Sequence, residues 1–90
     1  MKISCDPAKR QQTLDTRGLD MLRANEVFEG AHFTRADDRF DYGESRFITA
    51  GWLDPRLVVL AWTPRGNTRR IISMRHCHER EANKLIPYLS

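Results

Sequence analysis

WTPRGNTRRIISMRH, residues 62–76, decides how this chain folds. The turn residues Pro64-Arg65-Gly66-Asn67 separate two apolar segments, which predicts a tight antiparallel hairpin. If residues 68–76 are extended, Arg69, Ile71, Ser73 and Arg75 share one face while Arg70, Ile72, Met74 and His76 share the other. Ile72 and Met74 are then expected to look inward, toward helices covering one side of the sheet. Ser73 and Arg75 would stand on an open face, with Arg65 delivered by the turn. A guanidinium there is permanently charged and forks its donors toward a phosphate or carboxylate. Residues 65–80 hold five arginines (Arg65, Arg69, Arg70, Arg75, Arg80) against one acid, Glu79. Pairing within that stretch is not expected to neutralise them.

Working outward, "SRFITAGWL" and "RLVVLAWTP" read as two further strands joined at Asp54-Pro55, and "HFTR" as a short strand ahead of an acidic loop containing Asp37, Asp38, Asp41 and Glu44. Arg46 is expected to be held by one of those acids. Toward the N-terminus, "MKIS" suits a short first strand. Asp6 followed by Pro7 predicts an N-cap and first helical position, with Gly18 ending that helix. Asp20 is placed to cap a second helix whose Met21, Ala24, Val27 and Phe28 fall on one face, with Gly30 at its end. At the other end of the chain, Ala82, Leu85, Ile86 and Leu89 form a helical stripe that Pro87 should bend. The expectation is an α+β domain over residues 1–90, ordered β-α-α-β-β-β-β-α, with a small antiparallel sheet, two N-terminal helices and one C-terminal helix.

Composition narrows the function. Ninety residues, 40% hydrophobic and 30% charged, suit one soluble domain with a modest core and a surface site. The net charge of +3 permits a nucleic-acid partner without demanding one. Cys5 and Cys77 stand far apart with no CxxC pair, so a reducing, cytoplasmic setting is expected, with neither a signal peptide nor a membrane span. His76, Cys77 and His78 are adjacent, but successive strand residues alternate faces and no second ligand cluster exists, so no metal site or cofactor is expected. Trp52 and Trp62 read as core or interface anchors.

The pieces "CDPAK", "RGL", "ANEVFE", "YGESRFITAG", "LVVLAWTPRG" and "RRIISMRHCHERE" resemble, in order and over nearly the whole chain, the BrnT family of toxins from bacterial type II toxin–antitoxin modules. The resemblance implies a RelE-like fold, ribonuclease activity that inhibits translation, and neutralisation by a BrnA-like ribbon-helix-helix antitoxin, through which the toxin associates indirectly with DNA. Arg65 matches the arginine of the family's T-x-RG turn, and Ser73 and Arg75 match its I-S-x-R strand end. Arg70 matches the arginine before the isoleucines, and Lys9 the lysine of the D-P-x-K start. The chain departs from the family pattern at Cys5, at Thr13-Leu14, at Arg17 and at Cys77-His78, where a threonine would have completed a capping box with Glu81.

RNA cleavage without a metal needs the 2′-OH deprotonated, the phosphorane charge stabilised and the leaving 5′-oxygen protonated. Arginines supply the second need and are poor bases. The expected catalytic set is Arg65, Arg75 and His76, with His78, Glu44 and Glu79 as other proton carriers, and Lys9, Arg69, Arg70 and Ser73 as RNA contacts. The alternative is a non-catalytic basic module: a helix-βββ-helix order also describes double-stranded RNA-binding domains. Those carry a lysine-rich run where this chain has the mixed-charge "HEREANK".

Overall fold

The computed structural model describes residues 1–90. The order is β1 (Lys2–Cys5), α1 (Pro7–Arg17), a 3-10 turn (Met21–Arg23) running into α2 (Ala24–Glu29), β2 (His32–Ala36), β3 (Phe47–Leu53), β4 (Arg56–Arg65), β5 (Thr68–His76), α3 (Glu79–Leu85) and a closing 3-10 turn (Ile86–Tyr88). The α+β class and element order agree with the sequence reading. One detail of the sheet differs. The strands lie in the order β1-β5-β4-β3-β2, and β1 runs parallel to β5, so the sheet is mixed. β2 to β5 form an antiparallel meander, while α1 and α2 carry the chain from the β1 edge to the far edge before it begins.

Local chemistry sets the element ends. The Asp6 carboxylate accepts from the Lys9 N–H at 3.0 Å, and Gly18 takes the left-handed conformation (φ 67, ψ 23) with its N–H donating to the Leu14 carbonyl. Asp20 accepts from the Leu22 N–H at 3.0 Å, opening the 3-10 turn that begins the second helical segment. Two-residue turns at Asp54-Pro55 and Gly66-Asn67 fix the register of the central hairpins, with Leu53 opposite Arg56 and Arg65 opposite Thr68. Both turns use a positive φ, at Asp54 (55) and Gly66 (59).

The N-terminal helices cover one face of the sheet. Met21, Ala24 and Val27 are fully buried there with Leu60, Ile71 and Met74, and Phe28 packs against them half-buried. Gly51 lets α2 approach: a Cβ at that position would stand 2.7 Å from Val27 Cγ1. Trp62 spans the same face, its Nε1–H donating to Thr49 Oγ1 at 2.9 Å, and Thr49 shares a hydrogen bond with Thr34 at 2.8 Å. Trp62 is therefore a core residue, whereas Trp52 is 39% exposed.

Strand parity in β5 departs from the sequence expectation. Ala61 pairs with Ser73 but Trp62 pairs with Ile71, so Ile72 is an extra residue, a β-bulge, and the alternation shifts by one across it. Ile71 and Met74, rather than Ile72 and Met74, are the buried pair. On the covered side the row is Arg69, Ile71, Met74 and His76; on the other side it is Arg70, Ser73 and Arg75. The bulge carbonyl is not left unpaired. β1 ends at Cys5, opposite Ile71, and α1 takes over that edge, with Lys9 Nζ donating to the Ile72 carbonyl at 3.4 Å and Arg17 Nη1 to the Met74 carbonyl at 2.7 Å.

Helices do not lie on one face only. α3 leaves β5 and crosses the opposite face, with the Tyr88 ring 5.4 Å from Phe33 and Ser90 exchanging backbone hydrogen bonds with His32 on β2. No residue of α3 is fully buried: Ala82 and Leu85 are half-covered, and Ile86 just beyond it is 43% exposed. The face expected to be open is instead roofed by a lightly packed segment, and a cleft lies between.

Candidate nucleic-acid interface

The register builds the floor of this cleft. Across the sheet, Phe33, Ala50, Val59 and Arg75 form one row, and Arg35, Ile48, Ala61 and Ser73 the next. Side chains on one face recur every second residue, so both rows point toward α3. With α3 as roof, the cleft has a volume of about 930 Å³, near the upper end of ligand-site volumes (roughly 300–1,000 Å³). Its floor of Ile48, Ala50 and Val59 is apolar, and its walls carry Arg35, Arg39, Arg75, Arg80 and Lys84, with His78 at the start of α3 and Glu81 as the one acid. Five cations face one carboxylate.

Two of those cations are engaged. Arg75 grips Glu81 with both terminal nitrogens, Nη1 to Oε1 at 2.8 Å and Nη2 to Oε2 at 2.9 Å. That grip holds the Glu81 carboxyl at about 2, well below the usual carboxylate range, and raises the Arg75 guanidinium in turn. Partial burial, with the Glu81 charge nearby, pushes the neighbouring Cys77 thiol up to about 11. Arg39 is bidentate to Asp37, which also accepts from Tyr42, and the Arg39 contact foremost holds the Asp37 carboxyl at about 2. Arg35, Arg80 and Lys84 have no ion pair and are exposed. Even Arg75 keeps its Nε–H and one Nη2 hydrogen beyond the Glu81 pair, because a guanidinium has five donors.

The residues singled out in the sequence do not converge on one point. Arg65 sits at the β4–β5 turn, six residues along β4 from Val59, the partner of Arg75, so about 20 Å of strand separates the two arginines. They cannot grip the same phosphate. Arg65 instead lies 3.7 Å from Glu44. His76 is on the covered side, its Nε2 donating to the Arg17 carbonyl at 3.3 Å, with Nδ1 buried and unpartnered. It therefore stands on the opposite side of the sheet from the cleft. Arg69 is also on the covered side, its guanidinium 3.9 Å from the Phe28 ring centroid and 5.2 Å from that of Trp62, a cation–π arrangement. Lys9 is bonded to the bulge carbonyl. Ser73, Arg70 and Arg75 do stand on the α3-facing side. Pairing also reaches further than expected, since Arg75 finds Glu81 just past the stretch that holds only Glu79. Arg46 is held by no acid; it lies over the Tyr42 ring at 4.0 Å.

The cleft adds residues that the strand reading passed over: Arg35, Arg39, Arg80 and Lys84. Two of them had a usable signal, since Arg80 and Lys84 are four apart and thus share a helical face. Within "HEREANK" that spacing turns both cations to one side, whatever the mixed composition. No group of three His, Cys, Asp or Glu side chains is arranged to hold a metal ion, and no helix is long and apolar enough to cross a membrane.

No curated protein matches the chain. The family model described as the ribonuclease toxin BrnT of type II toxin-antitoxin systems matches residues 5–81, a span that runs from the end of β1 through every strand to Glu81 and takes in the bulged, arginine-rich β5. On that match, the chain belongs to the BrnT family of ribonuclease toxins.

Proposed function

We propose that this protein is a metal-independent endoribonuclease that works in the cytoplasm, stops translation by destroying RNA, and is held silent by a BrnA-like ribbon-helix-helix antitoxin that also links it to DNA. The observation that carries the reading is the cleft: five cations line it over an apolar floor, and three of them, Arg35, Arg80 and Lys84, have no ion pair. Such a wall attracts a polyanion and stabilises charge that develops on a phosphate, the work a divalent ion would otherwise do.

In this mechanism the 2′-OH attacks the adjacent phosphorus and the bond from phosphorus to the 5′-oxygen breaks, leaving a 2′,3′-cyclic phosphate and a 5′-OH. Arg75 and Arg80 stabilise the pentavalent oxygens, while Arg35, Arg39 and Lys84 hold flanking phosphates. His78 is the cleft's imidazole, a group suited to taking the 2′-OH proton and returning one to the 5′-oxygen. It takes the role that His76, on the far side of the sheet, is not placed to fill. Ser73, Arg70 and Arg65 continue the same face toward the β4–β5 turn and lengthen the RNA track.

Induction in a bacterial host tests the reading. The expected result is growth arrest with loss of amino-acid incorporation, relieved by co-expressing the ribbon-helix-helix protein encoded beside this chain. Unimpaired growth and protein synthesis at high expression would overturn it.

A further inference from the structure

β2 is the outer strand on one side of the cleft, and part of its outer edge is unpaired. His32 uses both its N–H and its C=O on Ser90, at 3.2 and 3.3 Å, so residue 32 directs its backbone groups away from β3. Backbone direction alternates along an antiparallel strand. The N–H and C=O of Thr34 and Ala36 therefore point outward too, while Asp37 N–H, bonded to the Arg46 carbonyl at 2.8 Å, continues the inward set. No backbone group outside the β2–β3 ladder bonds to Thr34 or Ala36, and Thr34, Arg35 and Ala36 are exposed. The segment carries no proline, bulge or covering helix; of the usual edge protections it has only its short length and the charge of Arg35.

We infer that this edge receives an extended acidic segment of a partner protein as a sixth strand, continuing from the place Ser90 already occupies, with a carboxylate set opposite Arg35. Charge selects the occupant. A second copy of this chain pairing its own β2 antiparallel through Thr34 and Ala36 would place Arg35 against Arg35, and like charges directly opposite are destabilising. RNA has no peptide groups to extend the ladder. An acidic strand meets both demands: its backbone completes the edge and its side chain, on the cleft side, lies against an arginine that has no other ion pair. That carboxylate would take up the position of a phosphate in the cleft wall, so strand addition and RNA binding exclude each other. The inference rests on the proposed toxin–antitoxin reading and says how the antitoxin engages.

The test uses the complex formed with the ribbon-helix-helix protein encoded beside this chain. Hydrogen exchange should show the Thr34 and Ala36 amides exchanging freely in the isolated toxin and protected at least tenfold in the complex. Ala36→Pro removes one outward N–H and leaves the β2–β3 ladder whole; it should weaken the complex at least tenfold while RNA cleavage by the free toxin stays within twofold, and Ala36→Ser, which keeps the N–H, should leave both the affinity and the cleavage unchanged. A complex of unchanged affinity, with both amides exchanging as they do in the free toxin, would overturn the inference alone. Failure to form any complex would overturn the toxin–antitoxin reading together with it.

Discussion

Replacing Glu81 by Gln removes the carboxylate that clamps Arg75 and should pull stability and RNA binding in opposite directions. A carboxyl held at about 2 instead of 4.5 would carry about 3 kcal/mol in a sealed interior, at 1.36 kcal/mol per tenfold change in proton affinity. The Arg75 and Glu81 side chains are 41% and 33% exposed, and screening by water reduces the net to about 1 kcal/mol. For a domain of this size that corresponds to a fall in Tm of roughly 4–8 °C. The sign with pH follows from the direction of the shift. A depressed carboxylate contributes stability above its unfolded value, near 4.5, and loses it as pH falls toward about 2. Wild type and Glu81→Gln should therefore differ fully at pH 7, and the gap should close in acid. Circular dichroism melts of both proteins at pH 7 and near pH 2 read this directly. The variant should also bind a non-cleavable 2′-O-methyl RNA several-fold more tightly at pH 7, because the only acid in the cleft wall is gone. Equal Tm values at pH 7, or a gap that persists undiminished in acid, would refute the ion-pair account.

Further perturbations probe the scaffold and the charged face. Gly51→Ala should cost about 1–3 kcal/mol in denaturant unfolding, because its Cβ would lie 2.7 Å from Val27 Cγ1 and 3.2 Å from the Ala31 carbonyl oxygen. Trp62→Phe takes one donor from the fully buried Thr49, whose hydroxyl keeps its bond to Thr34, and should cost about 1 kcal/mol, with RNA affinity per folded molecule unchanged. Arg65→Ala and Arg75→Ala should weaken RNA binding additively, since the residues are about 20 Å apart along the sheet. Each loss should also reduce the slope of log affinity against log salt by about 0.7 if it removes one phosphate contact on single-stranded RNA.

Local interactions were the readable part of this fold. Asp6, Pro7 and Gly18 delimit α1, and the Met21, Ala24 and Val27 stripe marks the covered core, because caps and helical periodicity are written within a few residues. Both tight hairpins were legible for the same reason. The bulge at Ile72 was not: one extra residue in a run of apolar and basic side chains leaves no glycine or proline to announce it, yet it exchanges the faces of Arg69 and Arg70 and turns Ile71 inward. Ser73 and Arg75 lie beyond the bulge and keep the expected side, away from the N-terminal helices, although α3 roofs the face expected to be open. The parallel seat of β1 on β5, the passage of α3 over the second face and the clamp between Arg75 and Glu81 depend on tertiary placement, which strand parity does not encode. That placement moves the candidate site from the turn at Arg65 to the α3 end of the sheet.

Whether the cationic cleft cleaves RNA without a metal is read by incubating the purified protein with 5′-labelled single-stranded RNA in excess EDTA, alongside a variant in which Arg75, Arg80 and Lys84 are all replaced by alanine. The wild type should cleave to fragments ending in 2′,3′-cyclic phosphate, and the folded variant should lose at least a hundredfold in rate. Intact RNA with the wild type in EDTA and cleavage restored by a divalent cation, or a variant that cleaves as fast as the wild type, would contradict metal-independent cleavage by this cleft.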